Sequence, residues 1–133
     1  MLGKGSKLYS IFRFKCPHCH EGDLYKSSLT SMNGIYNMHE KCTECGQRYE
    51  LEPGFYWGAM YIGYALSSGY MLIGVSIAIF LMGLSVNQSF ALVIILGLFF
   101  LPLIARFARS VWINLYIKYD PTAVERYRKK VKE

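Results

Sequence analysis

Four cysteines stand in the 133-residue sequence, and all fall in two C-x-x-C pairs, Cys16-Pro17-His18-Cys19 and Cys42-Thr43-Glu44-Cys45, 22 residues apart. A two-residue gap lets both thiolates of a pair point at one ion, and two such knuckles complete a tetrahedron. The implied chemistry is one structural Zn²⁺ held by Cys16, Cys19, Cys42 and Cys45, with no position open for water or substrate. Pro17 stiffens the first knuckle, and Gly46 permits the left-handed turn that aims backbone N–H groups at sulfur in the second. Four thiolates around a divalent ion leave a local charge of about −2, and Arg13, Lys15, Lys41 and Arg48 flank the pairs to offset it. His18, His20 and His39 are near enough to replace a thiolate in a variant site.

Two other chemistries use the same residues. C-P-H-C-H at Cys16–His20 is literally the haem-attachment pattern C-x-x-C-H. Haem attachment takes place outside the cytoplasm, however, and the second pair, C-T-E-C-G, lacks the histidine. A thiol-redox role is the other alternative, but its dithiol ordinarily opens a helix in a fold that fifty residues cannot build. One ion explains all four sulfurs. No Ser/His/Asp set or phosphate-cradling glycine loop accompanies them, so neither a catalytic residue nor a small-molecule substrate is identified.

The elements that must carry this site follow from the distribution of charge. From Phe55 to Ala105 there is no Lys, Arg, Asp, Glu or His. Such a run is long enough for two membrane spans, expected at about 55–82 and 90–110, joined by the uncharged Gly83–Ser89. Seven basic residues precede the run and eight follow it, with none between the spans. This is the arrangement of a helical hairpin with both termini cytoplasmic, and it accounts for the net charge of +6 without nucleic acid. Met1–Lys15 has no apolar block or cleavage site of a signal peptide, so the first span is expected to serve as its own targeting signal.

The expected fold is thus a small membrane protein in three parts. A four-cysteine zinc ribbon occupies 1–52, with short β-strands at Ile11–Lys15, Leu24-Tyr25 and Gln47–Leu51 and a hairpin tip at Asn33-Gly34. An α-helical transmembrane hairpin occupies 53–119, and a separate basic tail 120–133, where Thr122 and Glu125 form a capping-box pattern. Pro102 should kink the second span. Trp57, Arg106, Arg109 and Trp112 are expected at the membrane interface, the arginines snorkelling to headgroups. Ala59, Gly63, Ser67, Gly74 and Ala78 share one face of the first span and suit close helix packing, within the hairpin, with a membrane-protein partner or in self-association. The tail's Arg126, Arg128, Lys129, Lys130 and Lys132 would lie beside the inner leaflet.

These motifs resemble the domain-of-unknown-function 983 family of small bacterial two-span membrane proteins with a zinc-ribbon-like head. The resemblance runs through C-P-H-C-H-E-G-D-L-Y at Cys16, M-H-E-K-C-T-E-C-G at Met38, E-P-G-F-Y-W-G-A-M-Y at Glu52 and P-L-I-A-R-F-A-R-S-V-W at Pro102. It looks closest to the members of Bacteroidetes-type bacteria. The family's first knuckle usually reads C-P-x-C-G, and here His20 takes the glycine position. The resemblance implies the architecture and no activity. The functional expectation is a non-enzymatic interaction, accessory or assembly module for a larger inner-membrane complex; the rivals are a thiol-redox enzyme and an oligomeric hairpin handling solutes or lipids.

Overall fold

The computed structural model describes residues 5–28, 34 and 36–133. Two long helices dominate it: α2 is Trp57–Phe80 and α3 is Val86–Tyr116, with short helices α1 (Lys7–Arg13) and α4 (Ala123–Lys132) at the two ends of the chain. At 1.5 Å per residue, α2 is about 36 Å long and α3 about 46 Å. Both are long and apolar enough to cross a membrane, and only 6% and 11% of their most apolar stretches are buried. Side chains such as Leu72, Phe80, Ile95 and Phe99 point outward with at least two-thirds of their surface uncovered. A soluble core helix would hide those groups, and in water they would form an apolar patch far beyond that of a monomeric protein.

The two helices pack as an antiparallel hairpin. Gly83, at φ +65°, turns the chain after α2, and the Leu84 N–H returns to the Ala78 carbonyl at 3.2 Å. Ser85 then starts α3, its N–H donating to Gln88 Oε1 at 3.3 Å. Small residues let the backbones approach. A Cβ on Gly74 would lie 3.1 Å from Val93, and one on Gly97 would lie 3.3 Å from the Tyr70 ring. Tyr70 fills that gap and donates to the Val93 carbonyl at 3.2 Å. Pro102 lies inside α3, which continues past it.

Helix α3 begins earlier and ends later than the 90–110 expected from hydropathy, because its last turns leave the apolar layer and become part of the head. Ile113 and Ile117 are buried in one cluster with the four cysteines, Leu24, Tyr25, Tyr49 and Ala123. Hydropathy marks where a helix stops being oily, not where it stops.

The head holds no strand among the described residues, in place of the three short strands expected. Three isolated antiparallel bridges take their place: Lys15 with Asp23, Tyr25 with Met38, and Lys41 with Arg48. The largest departure is Ile11–Lys15, of which Ile11 to Arg13 are helical. Leu8, Ile11 and Phe12 recur at helical spacing, and α3 offers a surface for them. The Phe12 and Phe107 rings sit 5.5 Å apart, and Ser110 Oγ donates to the Ile11 carbonyl at 3.2 Å. Gly34 takes φ +87° and accepts from the Asn37 N–H; Asn33 of the expected hairpin tip lies outside the described residues.

The tail does not stand apart. Asp120 N–H donates to the His18 carbonyl at 2.8 Å, Arg126 pairs with Asp120, and Tyr127 lies against Gly46. The expected Thr122/Glu125 capping box is not formed. Thr122 gives both its N–H and its hydroxyl to Asp120 Oδ1, at 2.9 and 2.7 Å. That Asx turn engages Thr122 before it can cap the helix.

Gly58 sets a test of the hairpin. A Cβ there would overlap the Trp112 ring, whereas one on Gly69 meets nothing within 4 Å. Gly58→Ala is expected to lower stability by about 1–3 kcal/mol, and Gly69→Ala to leave it unchanged or slightly raised. Thermal unfolding of the two variants in one detergent measures the difference.

Candidate metal centre

The two knuckles are built alike. In the first, Cys16 N–H donates to the Gly22 carbonyl at 2.7 Å and His20 N–H to the Cys16 carbonyl at 2.8 Å. In the second, Cys42 N–H donates to the Gln47 carbonyl at 2.9 Å and Gly46 N–H to the Cys42 carbonyl at 3.0 Å. The residue after the second cysteine is left-handed in both, His20 at φ +59° and Gly46 at φ +69°. One antiparallel bridge closes each turn from outside. His20 thus adopts the glycine conformation in spite of its side chain, at a cost of about 1 kcal/mol. Its ring stacks at 4.2 Å on Tyr119, a contact glycine could not make.

The turns bring the four sulfurs together. Sγ of Cys16, Cys19, Cys42 and Cys45 all lie within 4.8 Å of one another, and all four residues are buried. Across the knuckles, Cys16 and Cys45 are 3.8 Å apart and Cys19 and Cys42 3.7 Å. A tetrahedron with metal–sulfur bonds near 2.3 Å has edges of about 3.8 Å, so the donor set fits one thiolate-loving ion. Zinc and iron both favour tetrahedral sulfur. This is the only group of three or more His, Cys, Asp or Glu with metal-binding geometry among the described residues, and no histidine belongs to it.

Charge explains why the cluster suits a cation. Four thiols this close cannot all ionise on their own. Hydrogen bonding from Cys16 pulls Cys42 strongly down and Cys19 to about 7, while the bond with Cys19 drives Cys16 up and the bond with Cys16 drives Cys45 up. Protons are shared within the cluster until a cation replaces them. Backbone N–H groups of Gly22 and Gln47 support the sulfurs of Cys19 and Cys45. Lys15, one of the residues expected to offset the charge, instead pairs with Asp23 at 2.6 Å.

Three residues that the cysteine pattern does not announce also shape the site. A Cβ on Gly22 would collide with Cys42 Sγ, so the first knuckle must carry glycine for the sulfur of the second to enter. Tyr49, 1% exposed, donates to the Asp23 carbonyl at 3.1 Å and walls the sulfurs from below; burial raises its pKa. Tyr127 of α4 covers Gly46. Only Gly22 leaves a sequence trace, the E-G-D turn after the first pair.

The other residues singled out from sequence fall in several places. Ala59 and Ala78 are buried, a Cβ added at Gly74 would meet Val93, and one added at Gly63 would lie 3.9 Å from Ala108, so these positions face the hairpin's own interior. Ser67 is half-buried. Trp57 points outward, 76% exposed. Trp112 turns inward, its Nε1 donating to the Phe55 carbonyl at 2.8 Å. Arg109 donates to the Tyr36 carbonyl at 3.3 Å, between the rings of Tyr36 and Tyr56. Arg106, expected to snorkel to headgroups, is 2% exposed and donates to the Ser27 carbonyl at 3.0 Å, its guanidinium 4.5 Å over the Tyr25 ring. Tyr25 returns a hydrogen bond to the Arg106 carbonyl at 3.1 Å. A charge so placed must be paired, and the head supplies the partners.

A family model described as "Protein of unknown function (DUF983)" matches residues 32–117, about two-thirds of the chain. The chain belongs to the DUF983 family. The matched DUF983 region includes the second knuckle, both long helices, Arg106 and Ile113; α1, Cys16, Cys19 and α4 lie outside it. No curated protein and no solved structure matches the chain.

Gly22→Ala should weaken metal binding by about 10–100-fold, the range for changes beside a ligand. Competition with a graded chelator measures it. His20→Val, which strains the left-handed turn and loses the ring's contacts, should destabilise the head more than His20→Gly, which loses the ring's contacts without the strain.

Proposed function

We propose that the chain is an inner-membrane protein whose cytoplasmic head is folded by one structural Zn²⁺ and serves as a non-enzymatic interaction or assembly module for a larger membrane complex. The observation that carries this reading is the closed donor set, four buried sulfurs at tetrahedral spacing. A catalytic metal needs an open position for water or substrate, and here four protein donors fill the shell. Zinc is preferred to iron because two C-x-x-C knuckles are a common zinc frame. When bound, the ion supplies charge neutralisation and a cross-link between knuckles.

The cytoplasmic orientation rests on the basic residues that flank the spans and are absent between them. A reducing cytoplasm also keeps the four thiols available to metal. The partner is expected to be another membrane protein or a second copy of the chain. The exposed surfaces open to it are the outer faces of α2 and α3 and the basic side of α4.

Three measurements test the reading. Purified protein should carry one zinc and no iron per chain. Its thiols should resist alkylation until a chelator removes the ion, and acidification should release the ion, because protons compete with metal for thiolate. Rapid alkylation of metal-loaded protein with a reversible disulfide would instead establish a thiol-redox role. Reporter fusions at the C-terminus should be active only on the cytoplasmic side; activity outside would overturn the topology.

A further inference from the structure

An apolar cleft of about 630 Å³ runs along the hairpin, lined by Phe12, Leu66, Tyr70, Phe100, Leu103 and Phe107. Phe14 forms part of its wall and also lines a second, polar cleft of about 380 Å³, where Arg13, Lys26 and Arg106 gather with Asp23. The two are therefore adjacent, a greasy trough ending under a cationic mouth. We propose that together they bind one anionic phospholipid, its acyl chain in the trough and its phosphate at Arg13 and Lys26. This rests on the membrane reading above and goes beyond it.

The charge balance selects an anion. Asp23 is already engaged by Lys15. Neither Arg13 nor Lys26 has an ion-pair partner among the described residues. Arg106 adds a third positive charge from within the fold, its guanidinium held by Ser27. The trough selects an amphiphile over a free phosphate. From Phe107 to Phe100 it descends two turns of α3, about 10 Å, beside outward-facing Leu98 and Phe99. Helix α1 roofs the junction. Leu8 and Phe12, one turn apart, are 53% and 59% exposed, and Arg13 follows directly. An apolar face beside a cationic residue is the composition of a segment lying in the headgroup layer.

Native mass spectrometry of full-length protein in neutral detergent tests the site, with phosphatidylglycerol, phosphatidylcholine and glycerol phosphate as three probes. Two cations at the surface of a bilayer predict about thirty-fold tighter retention of phosphatidylglycerol than of phosphatidylcholine, and no retention of glycerol phosphate. Arg13→Gln with Lys26→Gln should bring the two lipids within about threefold, while Lys129→Gln with Lys130→Gln should preserve the preference. Leu103→Trp, which fills the trough, should weaken both lipids; unchanged zinc content verifies that each variant is folded. Equal retention of the two lipids by the unaltered protein, survival of the preference in the Arg13/Lys26 variant, or its loss in the tail variant overturns the proposal. A chain that stays soluble without detergent would instead refute the membrane reading.

Discussion

Four sulfurs converging on one point constrain everything else in the head. Each knuckle comes from a different part of the chain, and each is closed by only two backbone hydrogen bonds and a single bridge. A head this small buries too little apolar surface to order itself. An ion in a tetrahedral thiolate site contributes about 10–16 kcal/mol of apparent binding energy, enough to offset the ordering of a segment with no ladder. The apolar residues then assemble around the sulfurs: Tyr49 and Leu24 from the head, Ile113 and Ile117 from α3, Ala123 at the start of α4. The cysteine cluster is therefore where four stretches of chain meet, not an ornament on one of them.

The arginines of α3 show how polar chemistry seals that junction. Arg106 reaches the Ser27 carbonyl while Tyr25 answers to the Arg106 backbone, a reciprocal pair across nearly eighty residues. Arg109, one turn further, lies between two tyrosines. Each guanidinium donates to a backbone carbonyl of the head, Arg106 to Ser27 and Arg109 to Tyr36, so two successive turns of α3 fasten the head.

What could be read from sequence was whatever depends on neighbours along the chain. The cysteine pairs are local, and two residues of spacing suffice to aim two thiolates together. The spans are local too, since fifty uncharged residues announce themselves. The docked tail, the inward turn of Trp112 and the capture of Arg106 depend on partners 57 to 102 residues distant, for which no single window carries a signal. The ribbon strands fail for a related reason. Five alternating residues at Ile11–Lys15 satisfy a strand pattern, but Leu8 and the waiting surface of α3 lie outside that window and decide for a helix. Gly22 sits between these cases: it is visible as a turn residue, and its steric duty toward Cys42 becomes visible only when the second knuckle is in place.

Helix α3 runs from Val86 through Pro102 to Tyr116, and its upper end is packed against the sulfurs through Ile113. Head and helical hairpin therefore share a mechanical axis. Over about 46 Å, a lean of five degrees carries the far end sideways by about 4 Å, and the knuckles must travel with it. A tilt of the hairpin is thus carried into the knuckles by the helix itself, in which Pro102 is the residue that gives up a backbone hydrogen bond.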